Sequence, residues 1–188
     1  MEKHYEAAEK AGEPLKTVSA RALYARILQT LAETGNGWIC FKDKANLRSA
    51  QTSNALPYQG KGTFNRIIRS SNLCTEILEV ASPEETAVCN LGSINLPRFV
   101  NEKREFDFQF LSEVVKTAVT FLDRVVDINF YPTPEAKASN HKWRPIGLGI
   151  MGMQDVLFKM KLPFGSPESQ ALSSKISETI YYHALNTS

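Results

Sequence analysis

The stretch Ser71-Asn72-Leu73-Cys74-Thr75-Glu76-Ile77 decides how this chain is read. In extended backbone, alternate side chains share a face. Asn72, Cys74 and Glu76 then point one way, and Leu73, Thr75 and Ile77 the other. One face carries an amide, a thiol and a carboxylate; the opposite face is mostly apolar and is expected to anchor the segment. Residues four apart in a straight strand are separated by roughly 13 Å, so a flat strand cannot bring all three polar groups to one small ligand. To converge, the segment must bend into a loop tip. The competing reading is a satisfied polar strand edge with a buried cysteine, since a free cysteine is often only a small hydrophobe.

Outward from this stretch, Ile67 to Val80 and Val88 to Leu96 read as strand-like, bracketing a turn at Ser82-Pro83. Upstream, residues 18 to 34 place Leu23, Ile27, Leu28 and Leu31 at helical spacing, with Thr17 or Ser19 to cap the start and Gly35 to end it. Trp38-Ile39-Cys40-Phe41 is a short run of strand formers. Asn46 to Thr63, with Pro57, Gly60 and Gly62, reads as a long polar loop. Downstream, Asp107 to Ile128 is a second amphipathic helix, with Leu111, Val115, Leu122 and Val126 on its apolar side, broken at Tyr131-Pro132-Thr133-Pro134. Ile146 to Met160 reads as a glycine-bearing helix, with Gly147, Gly149 and Gly152 in a packing role. Ser166-Pro167 opens the last helix. Alternating strands and helices favour an α/β fold with parallel strands. About three strands are visible, too few for a closed barrel of ~8, so the chain reads as part of a larger architecture.

Composition narrows the class. The chain has 188 residues, 43% hydrophobic and 22% charged, with a net charge of +2. A packed core is within reach, and nothing calls for nucleic acid or an anionic membrane as partner. No apolar run approaches the ~20 residues of a membrane span. The start is charged, unlike a secretory signal. Three cysteines, Cys40, Cys74 and Cys89, form no CxxC pair, which argues against a structural zinc site or a disulfide framework. The expectation is a soluble, cytoplasmic chain with reduced thiols and no metal site. Cys40, among Trp38, Ile39 and Phe41, is expected to be structural. His141 and Arg144 are expected to be solvated or to cap the core.

The stretch at 71–77 resembles the loop-tip motif of class I and class II ribonucleotide reductase large subunits. Three more blocks match in order. Thr34-Gly35-Asn36-Gly37-Trp38, continuing to Phe41-Lys42-Asp43, is similar to the family segment upstream of the tip. Ala87-Val88-Cys89-Asn90-Leu91-Gly92-Ser93-Ile94-Asn95-Leu96 is similar to the strand carrying a redox cysteine. Arg144-Pro145-Ile146-Gly147-Leu148-Gly149, with Gly152 and Asp155, is similar to the segment that follows. The resemblance runs nearly end to end, except around Ser53 to Arg66.

The resemblance implies an α/β fold of a specific kind: a ten-stranded barrel, of which residues 1–188 are an incomplete fragment, with a central loop at about 67–80. It implies that Cys74 carries the thiyl radical that removes the 3′ hydrogen of ribose. Glu76 is then the base toward the 3′ hydroxyl, while Asn72, with Ser71, binds the substrate. Cys89 is half of the dithiol that reduces the 2′ position. The implied radical source lies outside this chain, in a metal-containing small subunit (class I) or adenosylcobalamin (class II), and the residues present leave both open. An external thiol reductant, a ribonucleotide substrate and the remaining segments of the large subunit complete the implied partners. The family enzyme is several times longer, and the partner of Cys89, the effector loops, the phosphate loop and the radical-relay tyrosines have no counterpart here; Tyr181-Tyr182 is not assigned that relay. The chain is therefore expected to be inactive alone. The alternatives are a non-catalytic remnant and a small redox module using Cys74 and Cys89.

Overall fold

The computed structural model describes residues 2–12, 16–53 and 67–188. They divide into two units, Met1–Phe41 and Lys42–Ser188. The first unit holds α1 (Glu2–Ala11) and α2 (Ala20–Thr34). The Ser19 hydroxyl accepts a bond from the Ala22 N–H, and Gly35, at φ 67°, closes α2 in the left-handed region. The start and stop signals therefore act where the sequence places them. The apolar stripe of α2 is another matter, because none of its residues is buried. Trp38 to Phe41 is irregular and exposed rather than a strand. Strand-forming side chains do not make a strand without a partner ladder to satisfy the backbone, and no such ladder exists there among the described residues.

The second unit is built on one parallel pair. β1 (Leu91–Asn95) lies beside β2 (Gly147–Met151), with Leu91 opposite Gly147 and Asn95 opposite Met151. Parallel strands need a crossover of a dozen or more residues. Here it contains a 3₁₀ turn (Leu96–Phe99), α5 (Phe108–Ile128) and α6 (Pro134–Trp143). The Asp107 carboxylate accepts from the Phe110 N–H to start α5, and the Thr133 hydroxyl accepts from Ala136 N–H to start α6, with proline first in the helix. After β2 come α7 (Met153–Met160) and α8 (Pro167–Thr187), the latter capped by Ser166.

The glycine stretch at 147–151 is thus a strand, not a helix. A Cβ on Gly147 would stand 2.6 Å from the Leu91 side chain, and one on Gly149 would stand 3.2 Å from the Ser93 hydroxyl. The glycines let two strands approach, and helical periodicity was the wrong template. Gly152, at φ 77° with Pro97 where its Cβ would be, turns the chain from β2 into α7. A second correction concerns Asn46 to Thr63. Its first part lies in α3 (Lys42–Arg48) and α4 (Ala50–Ser53); residues 54–63 fall outside the described residues. The third correction is that Ile67 to Val80 is irregular; with Trp38 to Phe41 irregular too and 147–151 gained, the described residues hold two strands rather than about three.

The core forms where α5 and α8 pack against the strand pair. Ile94 and Leu96 meet Leu111 and Val115 of α5, Val156 of α7 and Ile176 of α8. Leu111 and Val115 have no exposed surface. The partner face is less complete: Phe121, Ile128, Phe130, Phe158 and Phe164 are 60 to 83% exposed.

Truncating Leu111 removes buried methyl groups and leaves a cavity between α5 and its neighbours. Leu111→Ala is expected to lower unfolding free energy by roughly 2–5 kcal/mol, read from urea denaturation. A change within about 0.5 kcal/mol, the size expected of a surface substitution, would contradict the packing described.

Candidate active site

The stretch from Ile68 to Val80 leaves the protein surface and returns, and its two ends are tied down by amide side chains of α3 and α4. Asn46 makes a two-bond clamp on Ile68: its Oδ1 accepts from the Ile68 N–H at 2.8 Å, and its Nδ2 donates to the Ile68 carbonyl at 2.9 Å. Gln51 Oε1 accepts from the Val80 N–H at 2.7 Å. Ile68 and Val80 are buried at these points. The Arg69 guanidinium donates to the Ala81 carbonyl across the same neck. Both clamping amides lie in the stretch that polarity alone reads as loop.

Inside the neck, the segment is a closed, irregular tip. Leu73 and Cys74 form a turn in which the Thr75 N–H donates to the Asn72 carbonyl, and Thr75 sits at φ 69°. A β-branched residue in the left-handed region is strained, a condition that persists where surrounding structure enforces it and that clusters at functional loops. The Thr75 hydroxyl is also buried without a hydrogen-bond partner. Two side chains supply the enforcement. The Ser71 hydroxyl donates to the Ile77 carbonyl at 2.6 Å, and Asn72 Oδ1 accepts from the Ile77 N–H at 3.1 Å.

This geometry changes the two-faced strand reading. Leu73 does not anchor the segment; it is 89% exposed at the apex. Cys74 and Glu76 are exposed, while Asn72, Thr75 and Ile77 are half-buried. Left-handed Thr75 breaks the alternation, and the irregular tip replaces the strand edge. Asn72 Oδ1 is spent within the tip, which leaves its Nδ2 as the group able to meet an outside acceptor. Ser71 likewise commits its hydroxyl hydrogen inside the loop.

Cys89 lies just before β1 and is exposed, as are Cys74 and Cys40, and all three thiols are free. Cys74, Glu76 and Glu79 all act on the Cys89 thiol. Partial burial pushes that thiol above its ordinary value, and the carboxylates of Glu79 and Glu76 and the Cys74 sulfur push the same way. Cys89 is therefore held as a protonated thiol at neutral pH, suited to donating hydrogen and slow as a nucleophile. The sequence reading missed Glu79, three residues beyond Glu76. Burial raises its carboxyl from 4.5 to about 7. No spacing signal marks this residue, because its behaviour comes from the half-buried position between the Ile77 and Val80 anchors.

Arg144 is engaged by acidic residues of α5. Arg144 closes α6 at φ 47° and its guanidinium grips Asp127 at 2.8 and 2.9 Å and Asp123 at 2.7 Å. These bonds hold both carboxyls below the usual range. Cys40, contrary to expectation, is exposed, and its neighbours Trp38, Ile39 and Phe41 are all more than half exposed. Among the described residues no group of His, Cys, Asp and Glu could hold a metal ion, and no helix is long and apolar enough to cross a membrane.

Glu79 generates a pH test. Its folded pKa is raised, so the folded state binds the proton more tightly than the unfolded state, and stability falls as pH rises from about 4.5 through about 7. Glu79→Gln removes that linkage. The variant is expected to gain stability relative to the parent between pH 5 and pH 8, measured as the difference in urea midpoints. An offset that is the same at both pH values would show that Glu79 does not titrate in this window.

Comparison with known proteins joins this geometry to a family. The family model described as "Ribonucleotide reductase, barrel domain" matches residues 1–188. The ribonucleoside-diphosphate reductase large subunit of Arabidopsis thaliana is 45% identical over 199 residues, covering 96% of this chain and 23% of that protein. The subunit alpha from Chlamydia pneumoniae is 44% identical, covering 98% of this chain and 17% of its own length. Among solved structures, the Actinobacillus ureae class Id ribonucleotide reductase alpha subunit superposes with a TM-score of 0.71 at 29% identity, over 98% of this chain and 33% of that one. The chain thus spans about a fifth of the length of these curated relatives, and over that span it belongs to the ribonucleotide reductase barrel-domain family.

Proposed function

We propose that this chain forms part of the catalytic barrel of a ribonucleotide reductase large subunit and carries its radical and base residues on the 68–80 loop. The observation that supports this reading best is the exposed, strained tip, braced by Ser71 and Asn72, that presents Cys74 and Glu76. The β1–β2 pair supplies two neighbouring strands of a ten-stranded α/β barrel, and other segments of the large subunit supply the rest. The exposed aromatic side chains of α5, α7 and the segments that follow them are the surface such segments would cover.

In this reading the chemistry is a reduction of ribonucleotide to deoxyribonucleotide. Cys74, as a thiyl radical, takes the 3′ hydrogen atom and becomes a thiol. Glu76 accepts the 3′ hydroxyl proton, a role open to an exposed carboxylate within reach of substrate. Asn72 Nδ2, unspent in the loop, donates to a ribose hydroxyl oxygen beside the Ser71-braced turn. The 2′ hydroxyl leaves as water with a proton from the Cys89 thiol. Cys89 and a second thiol, from another segment of the subunit, supply two electrons and become a disulfide; the second thiol's hydrogen goes to C2′, and Glu76 gives its proton back to the 3′ oxygen. Cys74 then returns its hydrogen to C3′ and recovers the radical. The protonated state of Cys89 at neutral pH fits the proton it must give. The first radical comes from outside the chain, from a small subunit or from adenosylcobalamin, and an external thiol reductant restores the dithiol. A cytoplasmic location follows from the reducing environment this cycle requires.

Mixing the chain with the complementary segments of a large subunit and a radical source, and assaying ribonucleotide reduction, tests the assignment. Turnover is expected from the mixture and not from the chain alone. Cys74→Ala is expected to abolish it, and Cys40→Ala to leave it within about twofold, since replacing an exposed cysteine with no proposed part in the chemistry costs little. Equal losses from both substitutions would refute the assignment of Cys74.

A further inference from the structure

Cys89 precedes β1, and its own side chain is exposed. Its immediate neighbour is the opposite. Asn90 is 5% exposed, and its side-chain amide and its carbonyl are all engaged. The Asn90 carbonyl accepts from the Gly147 N–H at 2.9 Å, which starts the pairing with β2. The Asn90 Nδ2 donates to Asn140 Oδ1 at 2.6 Å and to the Pro145 carbonyl at 2.7 Å, and Asn90 Oδ1 accepts from Asn140 Nδ2 at 3.2 Å. Asn140 is wholly buried in α6 and bonds the Tyr131 hydroxyl, which donates to the Val126 carbonyl at the end of α5. Two buried amides therefore face each other in a reciprocal pair that ties the residue just before β1 to both crossover helices.

Successive side chains in extended backbone point to opposite sides, so a residue locked inward fixes the direction of the one before it. A slip of one residue would turn Cys89 into the protein and Asn90 out of it. An apolar residue at 90 could fill the same space in more than one register, whereas a paired amide has one arrangement that satisfies all its groups. We propose that the Asn90–Asn140 amide pair is the device that aims Cys89 at the reaction site, which makes Asn90 a positioning residue for the redox thiol. The inference rests on the reading of Cys89 as that thiol.

The test separates the two. Asn90→Leu alone strands a buried Asn140 amide, so the informative variant is Asn90→Leu/Asn140→Leu, in which neither amide is left facing an apolar partner and only the bonds to the Pro145 carbonyl and the Tyr131 hydroxyl are lost. Iodoacetamide labelling of Cys89 in the 188-residue chain, with Cys40 as internal reference, reads its presentation. Turnover of the reconstituted subunit reads its use. The double variant is expected to melt cooperatively, to change the Cys89 labelling rate several-fold with Cys40 unaltered, and to lose kcat on the order of 10²-fold with KM little changed, as for a misplaced reacting group. Wild-type labelling and kcat in the double variant would overturn the proposal while Cys89→Ala remains inactive. Normal turnover of Cys89→Ala would instead remove the redox reading beneath it. Should the double variant not fold, Asn140→Asp, which keeps the side chain's shape and removes the Nδ2 donor to Asn90 Oδ1, decides: a several-fold change in Cys89 labelling supports the proposal, and a wild-type rate overturns it.

Discussion

The second unit depends on the close parallel approach of Leu91–Asn95 to Gly147–Met151. That approach is possible because Gly147 offers no side chain where Leu91 lies and Gly149 none where Ser93 lies. The pairing obliges the intervening chain to cross over, and α5 and α6 pack where the crossover places them. It also fixes the residues just before β1, so the position of Cys89 is a consequence of sheet register. The core of Ile94, Leu111, Val115 and Ile176 then holds the crossover against α8. A bulky residue at 147 would push the strands apart before any packing term could respond.

The loop tip obeys a second constraint of a different kind. It makes no ladder bonds, yet its ends and its apex are closed by side-chain amides and one hydroxyl: Asn46 and Gln51 at the neck, Ser71 and Asn72 within it. These bonds hold Thr75 in a conformation it would not adopt alone. The arrangement leaves Cys74 and Glu76 exposed at a fixed place, with the rigidity supplied by the helices below. A site of this construction suits chemistry in which a sulfur must meet a substrate atom at a set distance.

Much of this was legible in the sequence, and the rest failed for identifiable reasons. Helix limits set by Ser19, Gly35, Asp107 and Ser166-Pro167 were readable because capping is local chemistry. The α/β character was readable from the alternation of elements, but not which strands pair. The strand at 147–151 was hidden because its glycines pack against a partner 56 residues earlier in register, and periodicity contains no such information. α3 and α4 were hidden because they are short and polar. The roles proposed for Asn72, Cys74, Glu76 and Cys89 come only through family resemblance; spacing alone favours a polar strand edge. Glu79 and the Asn90–Asn140 pair carried no signal, because an amide or carboxyl buried by tertiary contacts looks in sequence like one in water.

The roles proposed for the two site thiols differ in order: Cys74 acts on the 3′ hydrogen before Cys89 acts at the 2′ position. Hydrogen-isotope release from a 3′-labelled ribonucleotide, measured in a reconstituted large subunit carrying Cys89→Ala, tests that order directly. The account predicts that label is lost from C3′ while no deoxyribonucleotide forms, and that Cys74→Ala releases none. Retention of the 3′ label with Cys89→Ala, or its loss with Cys74→Ala, would contradict the assignment of the two sulfurs.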